Sequence, residues 1–408
     1  MRRWEEKESL PVHRQQHDKR GSVYAYRWEL DEWRESRRQL MEVELQPAAE
    51  VSSRRLWWVL GLALLVTASA GGYWMLRHAQ SGNAEYTPSP EAYHAYMRGH
   101  FGENAGRVQV QAGIKNYQEA IRLDPRFARA WGGLATAHIA LTWFGDVPAR
   151  ETMAQAKMEA QKALTLDGRL ASAWRVLAFV SHYLDWDQST AEKQFRQALE
   201  LNPREPVATS WFAEFLLDMR RYDEALVYAR KAQDDDPRWL EPVTVAGNIH
   251  AFSGNPDLAI PEYHRALEIE PNYGLANHFL GRAYLAKGQT AKAIEQLRRS
   301  NELMGAVPFS MGDLGYALAI GGQRAEAERM LAEMNRRRQA GYYPAFAIAE
   351  VELGLGHIEA SLNWLEHAAD ERHMGFYLPS VDPIYQPLRT NPRFLALTQR
   401  MHTGTSSY

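Results

Sequence analysis

Fourteen histidines and 50 acidic side chains in a chain of 408 residues supply the raw material for acid–base or metal chemistry, and spacing decides whether either is built. Two histidines clamp a metal from one helix when they stand one turn apart, as in H-E-x-x-H. His94 and His100 stand six apart, as do His367 and His373, so neither pair shares a helix face well. They read as surface or groove histidines. The patterns GxSxG, GxxxxGK[ST] and GxGxxG are absent, which removes the nucleophile elbow and two phosphate cradles. Asp234, Asp235 and Asp236 run into Pro237 without the alternating oxygen ligands and glycine of a calcium loop, and read as a solvated acidic turn. With no cysteine in the chain, thiolate nucleophiles, disulfides and cysteine zinc sites are excluded. No catalytic residue, metal ligand or cofactor is expected, and the chain is not expected to be an enzyme. A formal net charge of -3 argues against nucleic acid held along the whole length.

The elements that would position a binding site are more legible. Segments end at "RLDP" (Pro125), "ELNP" (Pro203), "DDDP" (Pro237), "EIEP" (Pro271) and "ELMG" (Gly305), and from Pro203 onward each step is 34 residues. Within the unit ending at Pro271, Ala246, Gly247 and His250 fall on one helix and Ala259, Tyr263 and Ala266 on the next. In the unit ending at Gly305 the same places are Leu280, Gly281 and Tyr284, then Ala293, Leu297 and Ser300. A small residue lets two helices approach, a large one fills the gap, and proline marks the stop. The period and pattern resemble the tetratricopeptide repeat. The fold class expected is all-α: a right-handed solenoid of about eight helix-turn-helix repeats over 90–372, with an insertion around "TWFGDVPARE" in the second, and a C-terminal cap and tail over 373–408.

The first helix of each repeat faces a common concave groove. Template positions there give Arg175, Phe179, His182 and Tyr183, then Ser210, Glu214 and Asp218, then Thr244, Asn248 and Phe252, then His278 and Arg282. Aromatics mixed with polar hydrogen-bonders suit a protein or peptide partner, and the alternative is a solvated face. The Lys and Asn arrangement of a chaperone-tail carboxylate clamp is absent from these positions.

Leu56 to Leu76 is an uncharged run of 21 residues, about 31 Å as a helix and long enough for a hydrocarbon core of about 30 Å. Arg54 and Arg55 precede it, and Arg77 and His78 follow. The positive-inside rule then favours a cytoplasmic N-terminus and a periplasmic repeat domain, giving a single-pass protein of a bacterial inner membrane. A cleaved signal peptide ending near Ala68–Ala70 is the rival reading. Residues 77–89 form a polar linker.

Ahead of that run, "EKESLPVHR" ends a helix, "DKRG" (Asp18 to Gly21) makes a turn, "SVYAYR" alternates as a strand, and Trp28 to Arg38 suggests a short helix. With "RRWE" before the hairpin and "ELDEW" after it, residues 1–50 resemble the back half of an excisionase-like or MerR-like winged helix. The resemblance implies that Arg2, Arg3, Arg14, His17, Lys19 and Arg20 would face DNA, provided that a preceding helix completes the domain. The layout, with the "VDPIYQPLRTNPRF" tail, also resembles membrane-bound bacterial transcription regulators of the cadaverine-response and toxin-regulator type. Two functions are therefore expected in competition: a membrane-anchored signalling or regulatory protein, or a membrane-tethered scaffold for envelope proteins without DNA binding.

Overall fold

The computed structural model describes residues 13–17, 20–24, 86–100, 107–145, 147–376 and 382–403. The chain divides into two units, Met1–Tyr86 and Thr87–Tyr408. In the first, β1 (His13–His17) and β2 (Arg20–Tyr24) pair antiparallel, with His13 opposite Tyr24 and His17 opposite Arg20. The strand expected at residues 22–27 lies instead at Arg20–Tyr24, and the expected turn falls partly outside the described residues. The helices of the winged-helix expectation fall outside the described residues, as do Arg2, Arg3 and Lys19.

The second unit is helical throughout its described residues. Its helices come in eight consecutive pairs: α1 (Pro90–His100) with α2 (Arg107–Leu123), α3 (Ala128–Leu141) with α4 (Ala149–Leu166), α5 (Ala171–Tyr183) with α6 (Gln188–Leu201), α7 (Pro206–Asp218) with α8 (Tyr222–Asp235), α9 (Glu241–Phe252) with α10 (Pro256–Ile269), α11 (Gly274–Ala286) with α12 (Thr290–Met304), α13 (Pro308–Ile320) with α14 (Arg324–Ala340), and α15 (Ala345–Gly354) with α16 (Ile358–Glu371). A last helix, α17 (Pro392–Thr403), packs on α16. The first helices of successive pairs also touch one another, α3 with α5, α5 with α7, α7 with α9 and α9 with α11. They lie side by side along one face of the array.

Five of the seven junctions between pairs share a local device. Side-chain oxygens of Asp124, Asp167, Asn202, Asp236 and Glu270 accept the backbone N–H two residues on. These turns satisfy an N–H of the connecting loop and reverse the chain into the next pair. Between paired helices the small-against-large rule operates directly. A Cβ on Gly247 would overlap the Tyr263 ring, and one on Gly281 the Leu297 side chain. Tyr263, Leu297, Ala246, Ala259 and Ala293 are fully buried.

The array also closes on itself. After α3, a 3-10 turn (Thr142–Phe144) ends at Gly145 in the left-handed region, and its residues meet the far end of the chain. Trp143 lies edge-on to Phe309 at 5.8 Å, Gly145 abuts Pro308 and Pro344, and Thr142 Oγ1 is 3.0 Å from Met374 Sδ. Met374 in turn packs among Ile139, Met153 and Phe179. The insertion seen in the second repeat is thus one of the contacts that join the early repeats to the last two.

One expectation is corrected. Among the described residues no helix is long and apolar enough to cross a membrane, so the single-pass inner-membrane localisation is not supported. The apolar helices α13 and α15 have 13 and 10 residues, about 20 and 15 Å against the ~30 Å a span must cover. Their apolar character serves contact with neighbouring helices. The run 56–76 lies outside the described residues.

Candidate partner-binding face

The twelve groove positions divide into two clusters and a remainder. In the first cluster, on α5, α7 and α9, His182 Nε2 is 2.8 Å from Asp218 Oδ2 and the Tyr183 hydroxyl donates to the same oxygen at 3.1 Å. Ser210 donates to Glu241 Oε1 at 3.4 Å. Glu214 is half-buried, and its carboxyl is pushed well above the ordinary range by burial and by the facing Glu241 and Asp218. Burial likewise raises Glu241 to about 7, against the opposing pull of Ser210 and Arg175. Arg175 is the cation of this cluster. Its Nε donates to Glu205 Oε1 at 3.2 Å and its guanidinium lies 4.4 Å from the Trp211 ring centroid. Its Nη1 has no hydrogen-bond partner among the described residues.

The second cluster, on α9, α11 and α13, is tied to the end of the chain. Arg282 donates from Nη1 to both oxygens of Asp313 at 2.9 and 2.8 Å, and from Nη2 to Asp382. His278 Nε2 is 3.1 Å from Asp313 Oδ2. Burial and the neighbouring Arg282 hold His278 well below its usual pKa, hence neutral. Asp313 is raised to about 6 because burial outweighs the attraction of Arg282. Glu350 on α15 is raised well above the carboxylate range by burial and by Asp313, and accepts from the Tyr385 hydroxyl at 3.0 Å. Arg282 also lies 5.8 Å from the Phe252 centroid.

Asp382, Tyr385 and their neighbours belong to a 3-10 segment, Pro383–Leu388, that packs against α11. Between this segment and α9, α11 and α13 is a cavity of about 460 Å³. Two ladders of side chains line it at 34-residue steps: Asn248, Arg282 and Tyr316, and Phe252, Ala286 and Ile320. Tyr263 donates to Asn248 Oδ1 at 2.8 Å, which fixes the amide and leaves its NH2 end to donate.

Eight of the twelve positions, Arg175, Phe179, His182, Ser210, Asp218, Thr244, Asn248 and His278, are buried, and of the twelve Asn248, Phe252 and Arg282 line the cavity. Phe179 is buried between Tyr183 and Trp211, and Thr244 is buried with its hydroxyl on the Glu241 carbonyl. Sequence reasoning missed Glu241, Asp313, Tyr316, Glu350, Asp382 and Tyr385. A signal existed for Tyr316, one further step of 34 beyond Arg282. None existed for Asp382, whose partner lies 100 residues away. Among the described residues no group of three or more His, Asp and Glu is arranged to hold a metal ion.

Comparison with known proteins follows the same lines. Residues 253–303 match the tetratricopeptide repeat family. The TPR repeat-containing protein YpiA of Bacillus subtilis (strain 168) is 25% identical over 121 residues, 29% of this chain and 29% of that protein. The match thus spans under a third of the relative's length. Among solved structures, an IFIT1 monomeric mutant with Gppp-AAAA aligns with a TM-score of 0.51 at 14% identity, over 84% of this chain and 86% of that one. PilW, described as a widely conserved type IV pilus biogenesis factor, aligns with a TM-score of 0.43 at 21% identity, over 56% of this chain and 98% of that one. The likeness to the IFIT1 structure is one of fold alone.

Proposed function

We propose that this protein is a protein-interaction module whose concave face seats a segment of a partner protein along the two 34-residue ladders. Solenoids of this type present extended concave surfaces for binding. The observation that carries the reading is the cavity of about 460 Å³ bounded by Asn248, Arg282 and Tyr316 on one line and Phe252 and Ile320 on the other. It joins aromatic and aliphatic walls to a few polar groups, the composition of a site that binds and orients. Selection from a displayed library of random 12-residue peptides on the full chain tests it. Peptides so obtained lose at least about tenfold in affinity, 1.4 kcal/mol, on Asn248→Ala with Tyr316→Ala; equal binding to the variant would place the site elsewhere.

A second reading is favoured by the antiparallel hairpin of β1 and β2, whose strands include Arg14, His17 and Arg20. It is a regulator whose N-terminal unit acts as a wing on DNA, with Arg14, His17, Lys19 and Arg20 meeting phosphates. Retention of the full chain on duplex DNA at 50 mM salt with loss by 200 mM supports it. No retention at 50 mM rejects it.

A further inference from the structure

The concave face already holds a peptide-like segment, supplied by the chain itself. Residues Asp382–Leu388 form no sheet and no α-helix. Pro383 and Pro387 fix two backbone torsions and lack N–H groups, and Asp382 Oδ1 caps the turn by accepting from Ile384 N at 3.0 Å. The segment is held from its sides as a bound peptide is held: an acidic side chain on Arg282 of α11 and a tyrosine hydroxyl on Glu350 of α15, with Ile384, Tyr385 and Leu388 buried. Two prolines leave little chain entropy to lose on docking, which favours such a segment as a ligand.

It does not fill the groove. The cavity beside it is walled on one side by Pro383, Ile384 and Pro387 and on the other by the ladders of α9, α11 and α13. Arg282 serves both sides, being a wall of the cavity and the clasp for Asp382.

We propose that Asp382–Leu388 is an internal occupant of the partner site, and that the partner segment is of the same chemistry: an acidic residue for Arg282, then proline and an apolar residue, then a tyrosine for Glu350. The proposal rests on the reading of the concave face as a binding surface. A partner of this kind competes with the resident segment, so the site is masked until the segment is exchanged. Because tethering gives the resident segment an effective concentration of order mM, a peptide of about 10 μM intrinsic Kd added in trans faces a penalty of about a hundredfold in apparent affinity.

The probe is the fluorescein-labelled peptide DPIYQPLRT, copied from residues 382–390, read by polarisation against the full chain. Asp382→Lys, which sets like charge against Arg282, is expected to bind the probe about a hundredfold tighter than the unaltered chain. A probe with asparagine in place of its aspartate is expected to lose that gain. Absence of binding by an Asp382→Lys chain of unchanged helix content overturns the proposal. Where that variant does not fold, hydrogen exchange on the unaltered chain decides: millimolar probe should speed exchange at residues 384–388, and unchanged rates overturn the exchange. Should the probe fail while library-selected peptides still depend on Asn248 and Tyr316, the internal occupant is refuted and the binding face stands.

Discussion

The guanidinium of Arg372 lies 3.1 Å from the centroid of the Trp186 ring, joining the turn inside the third helix pair to the end of the eighth. Arg400 of α17 approaches the same ring at 5.8 Å. Trp186 and Arg372 both have φ of 56°, a left-handed conformation that costs a residue with a side chain of this size of order 1 kcal/mol. Both are held there by the closure they make. Burial and the neighbouring Arg400 pull the Arg372 pKa down to about 10, so the guanidinium remains charged at neutral pH and the cation–π contact persists.

Trp186→Ala should therefore cost about 3–5 kcal/mol, the range for a buried tryptophan, and should loosen the closure as well as the local core. Urea unfolding measures the first and small-angle scattering the second, as a larger radius of gyration under native conditions. Arg372→Ala keeps the apolar packing and should cost less, about 1–2 kcal/mol. Equal losses for the two variants would mean that the ring is not the anchor.

Gly247→Ala tests the packing rule inside a pair. The added Cβ would overlap the Tyr263 ring, so a loss of about 1–3 kcal/mol is expected from overpacking. Combining it with Tyr263→Leu should recover part of that loss, and additive losses in thermal unfolding would show that the two positions do not meet.

Arg282 neutralises buried carboxylates from two directions. Arg282→Met leaves Asp313 and Asp382 buried without their cation and should destabilise by about 3–5 kcal/mol. Adding Asp313→Asn should restore a measurable share, which a double-mutant cycle reads as coupling. No coupling would place the two side chains apart.

His373 sets an acid limit. It is buried beside Phe346, its Nδ1 accepts from Gly375 N at 3.0 Å, and burial depresses its pKa to about 4 from 6.5. A depressed pKa contributes stability that is present above pH 6.5 and lost as pH falls toward 4, here up to about 3 kcal/mol. His373→Leu should be less sensitive to acid than the unaltered chain between pH 7 and 4.5. Identical denaturant midpoints ratios at the two pH values would contradict the assignment.

The sequence made the repeats plain because each is specified locally. A 34-residue step from Pro203 to Gly305 and a glycine opposite a large residue declare a helix pair without reference to anything distant. The same periodicity carried the binding face through Arg282, and one more step would have reached Tyr316. Closure and self-occupation left no such trace. Thr142 meets Met374 across 232 residues and Arg282 meets Asp382 across 100, and contacts at those separations obey no period. The tail shows the difference within one segment. Residues 392–403 lie against α16, where Arg393 bonds Glu366 and Glu359, as a cap would. Residues 383–388 turn into the groove instead, because Asp382 and Tyr385 have partners there.

Hydrogen exchange on the full chain, with and without a library-selected peptide, tests the central claim most directly. Binding along the concave face should slow exchange in α9, α11 and α13 around residues 248–252, 282–286 and 316–320, and leave α8 and α12 unchanged. Protection confined to α8 and α12, with the first helices unaffected, would contradict the account.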